Sequence, residues 1–257
     1  MTRRWSLITT IVVLTVALAF VVAQLVRGQG AEKSGKDQAG GSSAGPGDGA
    51  GALRGVGWWP LHRSGTAKTG EHDAAVNGTG RWIDGPQGGA LKLDGAGGFA
   101  DTGTRLDTAG KDYSVAARVR LAPADMNGFH TVLSEDGDRA STFYLQYSGQ
   151  DQNFAFSFTG ARTLAEKAGQ PRAGRWYHLT GTYRQQDHRM RIYVDGRLAG
   201  SRTATGTVRP NGSVVIGRGK FNGKAADAWN GAVSDVHLYD RELTPREVSA
   251  LSSREPG

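Results

Sequence analysis

Short runs in which apolar and polar residues alternate dominate the sequence from Val56 onward, and they restrict the fold more than any other feature. Residues 153–159, Asn-Phe-Ala-Phe-Ser-Phe-Thr, place three phenylalanines on one face of an extended chain. Residues 189–194 alternate in the same way, with Met, Ile and Val on one face and Arg, Arg and Tyr on the other. Successive side chains of a strand point to opposite sides of a sheet. Each run therefore predicts a half-buried strand of an antiparallel sheet.

Turn and helix signals complete this pattern. Glycine accounts for 39 of the 257 residues and separates many of the runs, as tight turns between strands require. Asp195-Gly196 is a strong hairpin signal, because a type I′ turn needs positive φ at both central residues. Near the C terminus, Thr244-Pro245-Arg246-Glu247 forms a capping box that predicts a short helix ending near Leu251. We predict an all-β fold, a two-sheet antiparallel jelly-roll sandwich with a short C-terminal helix.

An uncharged apolar segment, Leu7 to Val26, precedes this region. As a helix its twenty residues would be about 30 Å long, which matches the hydrocarbon core of a bilayer. Arg3 and Arg4 precede it, so residues 1–6 are expected in the cytoplasm and the rest of the chain outside. We predict a single-pass transmembrane anchor over 7–26. The alternative is a cleaved secretory signal, which would release the domain from the cell.

Residues 27–52 contain nine glycines and no aromatic residue. Such a segment buries too little apolar surface to offset the entropy of ordering it. We therefore predict a disordered linker over 27–52, followed by one domain over 53–257.

Composition excludes several kinds of site. The chain has no cysteine, so disulfides, zinc–thiolate sites and cysteine nucleophiles are excluded. The net charge is +7, and residues 162–224 concentrate it, with thirteen Lys and Arg against three acidic residues. Such an excess bears on partners rather than on fold. Nucleic acid is an unfavourable partner, because the domain is expected outside the cytoplasm and the basic stretch lacks interleaved aromatic residues.

Five segments along the domain form a recognisable series. They are Gly-Ala-Leu-Lys-Leu-Asp-Gly at 89–95, Trp-Tyr-His-Leu-Thr-Gly-Thr-Tyr at 176–183, Met-Arg-Ile-Tyr-Val-Asp-Gly-Arg-Leu at 190–198, Val-Val-Ile-Gly-Arg at 214–218 and the stretch 229–244. In this order they resemble the signature segments of laminin G-like jelly rolls in the concanavalin A-like lectin/glucanase superfamily. The resemblance covers about residues 55–255 and implies the two-sheet sandwich fold. It leaves the activity open, because this fold carries lectins, hydrolases, lyases and adhesion modules.

The sandwich hydrolases that this fold includes carry two carboxylates in an E-x-D-x-x-E pattern, one to protonate the leaving oxygen and one to attack or to activate water. That pattern is absent here, and so is H-E-x-x-H. The nearest acidic cluster is Glu135-Asp136-Gly137-Asp138, whose Asp-Gly is interpreted as the tip of a hairpin. We predict that the protein is not an enzyme. A polysaccharide-acting hydrolase or lyase of this fold remains the alternative.

The resemblance also implies one structural Ca²⁺, a cation that takes six to eight oxygen ligands. The matching positions are Asp73, Asn77 and Asp235. Residues 74–76 are Ala-Ala-Val where the family usually has Ser and Gly, so one ligand oxygen is in doubt. The alternative is that Asp73 and Asn77 form a turn and that Asp235 bonds to nearby amides.

Strand alternation also predicts a ligand-binding face. If residues 143, 145 and 147 face the core, the residues between them face outward, and the same parity applies to strands 153–158 and 189–194. A sugar stacks its apolar face on an aromatic ring and pairs its hydroxyls with amides or arginines. The candidate ligand-binding residues are Tyr144, Gln146, Asn153, Arg189, Arg191 and Tyr193.

We therefore expect a membrane-tethered binding or adhesion module outside the cytoplasm. Its expected partner is a glycan or an anionic cell-wall or extracellular polymer. A structural domain that interacts with another protein is a further alternative.

Overall fold

The computed structural model describes residues 53–122, 127–204 and 208–254. The predicted transmembrane segment 7–26 and the linker 27–52 lie outside the described residues. Within the described ranges, no helix has both the length and the apolar character that a membrane span needs.

The described chain consists of short strands with one α-helix at its C-terminal end. Two 3-10 turns, Pro86–Gly88 and Glu166–Ala168, interrupt the strands. The elements are β1 Gly57–Trp59, β2 Ala75–Asn77, β3 Arg81–Ile83, β4 Ala90–Asp94, β5 Phe99–Asp101, β6 Tyr113–Leu121, β7 Phe129–Gly137, β8 Tyr144–Ser148, β9 Asn153–Phe158, β10 Ala161–Leu164, β11 Trp176–Arg184, β12 Arg189–Val194, β13 Arg197–Thr203, β14 Pro210–Ile216, β15 Gly219–Phe221, β16 Lys224–Ala226, β17 Asn230–Tyr239 and α1 Pro245–Ser252.

The strands form two large antiparallel sheets and one small hairpin sheet. The eight-stranded sheet has the order β13-β12-β11-β6-β17-β4-β3, and β1 also pairs with β17. The seven-stranded sheet has the order β10-β9-β8-β7-β14-β5-β2, and β15 pairs with β16 alone. The predicted all-β, two-sheet antiparallel sandwich with a short C-terminal helix is confirmed for the described residues.

One apolar core lies between the two large sheets. Phe143, Leu145 and Tyr147 of the β8 region enter it, and so do the three phenylalanines of β9, as the alternation predicted. Burying each of these rings stabilises the fold by about 1.5–3 kcal/mol. Gly181 in β11 lies against this cluster, where an added Cβ would come 2.6 Å from the Phe156 ring. The absent side chain at this position lets the two sheets approach.

A second, smaller apolar cluster lies on the opposite side of the eight-stranded sheet, beneath α1. The predicted capping box is present, with Thr244 accepting from the Glu247 amide and Glu247 reaching back to the Thr244 amide. Val248 and Leu251 of α1 are buried against Tyr193 and other apolar residues of the sheet. Helix α1 therefore covers a sheet face that alternation alone would leave open to solvent.

The β12–β13 hairpin turns where the sequence indicated. Asp195 and Gly196 have φ values of 48° and 77°, as a type I′ turn requires. The Asp195 carboxylate also accepts a hydrogen bond of 2.9 Å from the His178 amide. This bond ties the hairpin to β11.

Candidate functional site

A groove of about 590 Å³ opens on the side of the seven-stranded sheet that faces away from the core. Strands β8 and β9 form its floor, the β15–β16 hairpin forms one wall, and β10 with Arg202 of β13 closes the other side. The side chains that matter for its chemistry are Phe129, Tyr144, Gln146, Ser157, Arg162, Arg202, Phe221 and Asp227.

The floor of the groove is a fixed polar surface. Thr131 Oγ1 donates to Gln146 Oε1 at 3.3 Å, and Gln146 Nε2 donates to Ser157 Oγ at 3.1 Å. Gln146 is only 4% exposed, so these bonds hold its amide in one orientation. A pre-oriented amide and hydroxyl are groups that fix a ligand's position in a site.

Tyr144 attaches the β15–β16 hairpin to the sheet. Its hydroxyl donates to the Lys220 carbonyl at 2.6 Å and accepts from the Ser141 amide at 3.0 Å. A Cβ added at Gly219 would come 2.9 Å from the Tyr144 ring, so the hairpin backbone approaches the ring closely because residue 219 is glycine. Burial raises the pKa of Tyr144 above its ordinary value, which keeps its proton available for the Lys220 carbonyl.

Phe221 stands at the rim of the groove and is 51% exposed. In the part of the chain that the structure describes, Phe221 and Leu198 are the exposed large apolar residues. Phe221 ends β15, where Asn222 and Gly223 adopt positive φ and form the hairpin turn. The turn therefore leaves the ring of Phe221 facing solvent beside the groove.

Two charged groups complete the groove. Arg162 stacks on the Phe129 ring, with its guanidinium carbon 4.5 Å from the ring centre, and it forms an ion pair with Asp151 at 2.6 Å. Asp227 is half-buried and forms no ion pair with a described residue. Burial raises the pKa of Asp227, although the nearby charges of His130 and Arg162 act in the opposite direction. The groove thus contains one guanidinium, that of Arg162, fixed by a ring and a carboxylate, and one carboxyl group, that of Asp227, with a raised pKa.

The six predicted ligand-binding residues do not meet in one groove. Tyr144 and Gln146 lie in it, as part of the floor. Asn153 lies on the same sheet, where its Oδ1 accepts from the Phe154 amide at 2.9 Å, and it does not line the groove. Arg189, Arg191 and Tyr193 lie on β12 in the eight-stranded sheet.

The three β12 residues are occupied by contacts within the fold. Arg191 forms an ion pair with Glu242, and Arg189 Nε lies 3.9 Å from Asp187 Oδ2. Tyr193 is 2% exposed because α1 packs over it. Alternation correctly separated the two faces of the strand, but it carried no information about the helix that covers the outer face.

The calcium ligands implied by the resemblance, Asp73, Asn77 and Asp235, each have a partner within the fold. Asp73 Oδ1 accepts from the Ala67 amide at 2.9 Å, and Asn77 Nδ2 donates to the Ala75 carbonyl at 2.9 Å. These are turn contacts. No cluster of three or more His, Cys, Asp or Glu suited to a metal ion occurs in residues 53–122, 127–204 and 208–254.

Asp235 does not fit a cation site in this arrangement. Its Oδ1 accepts from Trp58 Nε1 at 2.9 Å and contacts His237 Nε2 at 2.8 Å, while its Oδ2 lies 3.6 Å from Arg118 Nε. Burial alone would raise the pKa of Asp235, but the hydrogen bonds from His237 and Trp58 and the charge of His237 outweigh it and hold that pKa at about 2. A calcium ion at Oδ2 would face the positive charge of Arg118.

The acidic cluster at 135–138 is also engaged in the fold. Glu135 is fully buried and accepts from the Leu106 and Asp107 amides at 2.7 and 2.9 Å. It also accepts from the hydroxyls of Thr108 and Thr142. The next residue, Asp136, pairs with Arg218 through two bonds of 2.9 and 3.0 Å. Gly137 belongs to strand β7 and not to the hairpin tip that the sequence suggested.

Six of the eight groove residues were not predicted from the sequence, and four of these, Phe129, Arg162, Phe221 and Asp227, are far apart along the chain. One local signal was available, since Phe221 directly precedes Asn222-Gly223, a dipeptide that favours a type I′ hairpin. An aromatic residue beside such a turn indicates an exposed ring. The other three are brought together only by strand pairing.

Comparison with known proteins places these features in a family. The profile of a laminin G family in the concanavalin A-like lectin/glucanases superfamily matches residues 94–249. Among curated relatives, the rat sushi, von Willebrand factor type A, EGF and pentraxin domain-containing protein 1 is 23% identical over 154 residues, 56% of this chain and 4% of the relative. Human pentraxin-related protein PTX3 is 25% identical over 134 residues, 49% of this chain and 35% of the relative. The chain thus spans about a third or less of the length of these relatives.

Solved structures share the fold at low identity. Domain 4 of the extracellular arabinanase AbnA of Geobacillus stearothermophilus, in complex with arabinotriose, has a TM-score of 0.62 and 17% identity, over 77% of this chain and 98% of that one. A Trypanosoma rangeli sialidase has a TM-score of 0.55 and 19% identity, over 76% of this chain and 32% of that one. At this identity the likeness shows the fold alone. With more than half of its length matched by the family profile, this chain belongs to the concanavalin A-like lectin/glucanases superfamily.

Proposed function

We propose that the domain is a carbohydrate-binding module that holds a glycan in the groove between β8, β9 and the β15–β16 hairpin. The observation that carries the proposal is the exposed Phe221 ring at the rim of a groove whose floor presents the Gln146 amide and the Ser157 hydroxyl. A sugar ring can stack on such an aromatic face while its hydroxyls meet the polar floor.

The dimensions and the charge of the groove support the same ligand class. A volume of about 590 Å³ is within the usual range for small-ligand sites. Arg162 and Asp227 lie at its side and offer a donor and an acceptor to sugar hydroxyls. The likeness to AbnA domain 4, which was solved with arabinotriose, agrees with a carbohydrate ligand.

We further propose that the module binds without cleaving its ligand. A glycosidase of this kind needs two carboxyl groups about 5–9.5 Å apart on either side of the bond. Asp227 is the acidic side chain among the described residues that line the groove. Glu135 and Asp136 are held by amides, hydroxyls and Arg218, so neither is free to act as its partner.

The location proposed for this activity is the outer surface of the cell membrane. Twenty uncharged residues from Leu7 to Val26, preceded by Arg3 and Arg4, support a single-pass anchor with the domain outside. A tether of this kind would hold the groove near cell-wall or extracellular glycans.

A glycan array with the full chain in mild detergent tests the proposed function. We expect neutral oligosaccharides to bind the parent protein, and Phe221→Ala to lose most of that binding. Leu198→Ala is the control for neutral oligosaccharides, because Leu198 is the other exposed large apolar residue of the described ranges and lines a different, charged cleft. Equal binding by the parent and Phe221→Ala, or release of shortened products from the bound glycan, would contradict the proposal.

A further inference from the structure

A second cleft, of about 610 Å³, lies between the β10–β11 connection and the β12–β13 hairpin. It shares no lining residue with the groove between β8, β9 and the β15–β16 hairpin, which is called the glycan groove after its proposed ligand. Tyr177, Val194 and Ala199 are buried and form its base, while its walls are exposed residues that are polar except for Ala168 and Leu198.

The cleft collects positive charge. Lys167, Arg172, Arg175 and Arg197 line it, against one carboxylate, Asp195. Arg175 is paired with that carboxylate at 3.1 Å. The other three cations are exposed and form no ion pair with any described residue.

The wall that carries Arg172 and Arg175 is held in place by the fold. The Arg172 amide donates to the Tyr177 hydroxyl at 2.7 Å, and the Gly174 amide donates to the Leu121 carbonyl at 2.9 Å. The Arg175 guanidinium stacks 4.7 Å from the centre of the Tyr177 ring. The backbone that presents these cations is therefore anchored to β6 and β11.

The cleft also accounts for part of the basic excess in residues 162–224. On β11 and β12, Arg184, Arg189 and Arg191 share two carboxylates, Asp187 and Glu242. Arg162 is neutralised by Asp151, and Arg218 by Asp136. Lys167, Arg172 and Arg197 have no ion-pair partner among the described residues and line the same cleft, although up to thirty residues separate them along the chain.

We propose that this cleft is a second binding site, for the anionic groups of a charged polysaccharide. Arginine presents a planar fork that suits carboxylate, sulfate or phosphodiester oxygens. Three unpaired cations around one cleft can engage successive anionic groups of a polymer. The polar Gln170 amide in the wall can pair with the hydroxyls between them.

The test measures binding of the full chain in mild detergent to dextran sulfate, polygalacturonate and poly(glycerol phosphate), with unmodified dextran as the neutral control. The three polyanions distinguish sulfate, carboxylate and phosphodiester as the recognised group. We expect at least one to bind, and its binding to weaken steeply with added salt because exposed charges are screened.

Variants localise the binding. We expect Arg172→Gln with Arg197→Gln to weaken binding about tenfold for each cation removed, the usual worth of one charged hydrogen bond. Arg81→Gln with Arg246→Gln removes the same charge from exposed positions outside the cleft and should leave the affinity within about twofold. Arg172→Lys with Arg197→Lys keeps both positive charges but loses the two-pronged guanidinium hydrogen bonds. Its affinity should lie between the affinities of the two glutamine double variants.

Two results would overturn the proposal. Equal losses in the cleft pair and the control pair would mean that only net charge matters. Binding to anionic lipid nanodiscs without binding to any polyanion would assign the cleft to a membrane surface instead. The Phe221→Ala variant distinguishes the two sites, because it should weaken binding of neutral glycans and leave polyanion binding unchanged.

Discussion

Arg162 and Phe129 are stacked across the edge of the groove, with the guanidinium carbon 4.5 Å from the centre of the ring. Arg162 comes from β10 and Phe129 begins β7, with β8 and β9 between them in the sheet. The same guanidinium is paired with Asp151. The ring and the carboxylate together hold one cation beside the glycan groove.

Replacing Arg162 with methionine keeps an apolar stem over Phe129 but removes the cation. We expect the unfolding free energy to fall by about 1 kcal/mol, because a partly exposed cation–π contact and a partly exposed ion pair are each modest. Glycan affinity should fall as well, since a donor beside the groove is lost. Thermal melting and calorimetric titration measure the two effects. Arg202→Met removes a groove cation that forms no ion pair with a described residue, so it is a control for stability only. A larger stability loss there would contradict the role given to Arg162.

Asp227 predicts a dependence of stability on pH. Its pKa is raised in the fold by burial, so the folded protein keeps the proton at pH values where the unfolded chain, at 3.8, has lost it. The stabilising contribution of the protonated form is therefore present below about pH 3.8 and is lost as pH rises through the raised pKa. Asp227→Asn should remove this decline, and asparagine tolerates the positive φ of 54° at this position. Urea unfolding between pH 3 and 6 measures it, and parallel curves for parent and variant would contradict the assignment.

Replacing Glu135 should destabilise the fold strongly. Glu135→Ala leaves the buried Leu106 amide, the partly buried Asp107 amide and the hydroxyls of Thr108 and Thr142 without their acceptor. We expect the free energy of unfolding to fall by about 3–5 kcal/mol. Glu135→Gln keeps one acceptor oxygen and should cost less. Denaturant midpoints measure both, with Glu166→Ala as an exposed control. A catalytic role for Glu135 would instead require these variants to fold normally and lose hydrolysis of a glycan.

A variant of Asp235 distinguishes a structural role of this carboxylate from a role as a calcium ligand. Asp235→Asn leaves the partly buried Arg118 without a counter-charge, so we expect a clear fall in melting temperature. The fall should be equal in chelator and in millimolar calcium, because Asp235 contacts Arg118, Trp58 and His237. A loss that appears only with calcium present would return Asp235 to the ligand set. The parent protein in the same two conditions tests whether calcium is bound elsewhere.

Membrane topology remains a prediction of the sequence, over residues outside the described ranges. Protease added to intact cells should release the domain by cutting between residues 28 and 52, because that segment is rich in glycine and poor in apolar residues. Immunoblotting of the medium measures the release. Protection in intact cells and cleavage only after lysis would reverse the orientation.

The sequence by itself determined the features that depend on neighbouring residues. Alternation placed Phe143, Leu145 and Tyr147 on one face, which lies in the core, and Tyr144 on the other, because side-chain direction in a strand has a period of two. The Asp195-Gly196 turn and the capping box at Thr244 were also predictable, since each depends on the backbone preferences of two to four residues.

The tertiary structure alone decided which outward faces line a groove or cleft. Tyr144 meets Lys220 through strand packing across 76 positions, and that contact builds the wall that carries Phe221. Tyr193 has the same alternation signal as Tyr144, yet α1 covers it. Lys167 and Arg197 reach one cleft although thirty residues separate them, while Arg191 is neutralised by Glu242. A local pattern specifies the side of a strand on which a side chain lies, whereas the element that packs on that side is set by long-range burial and pairing.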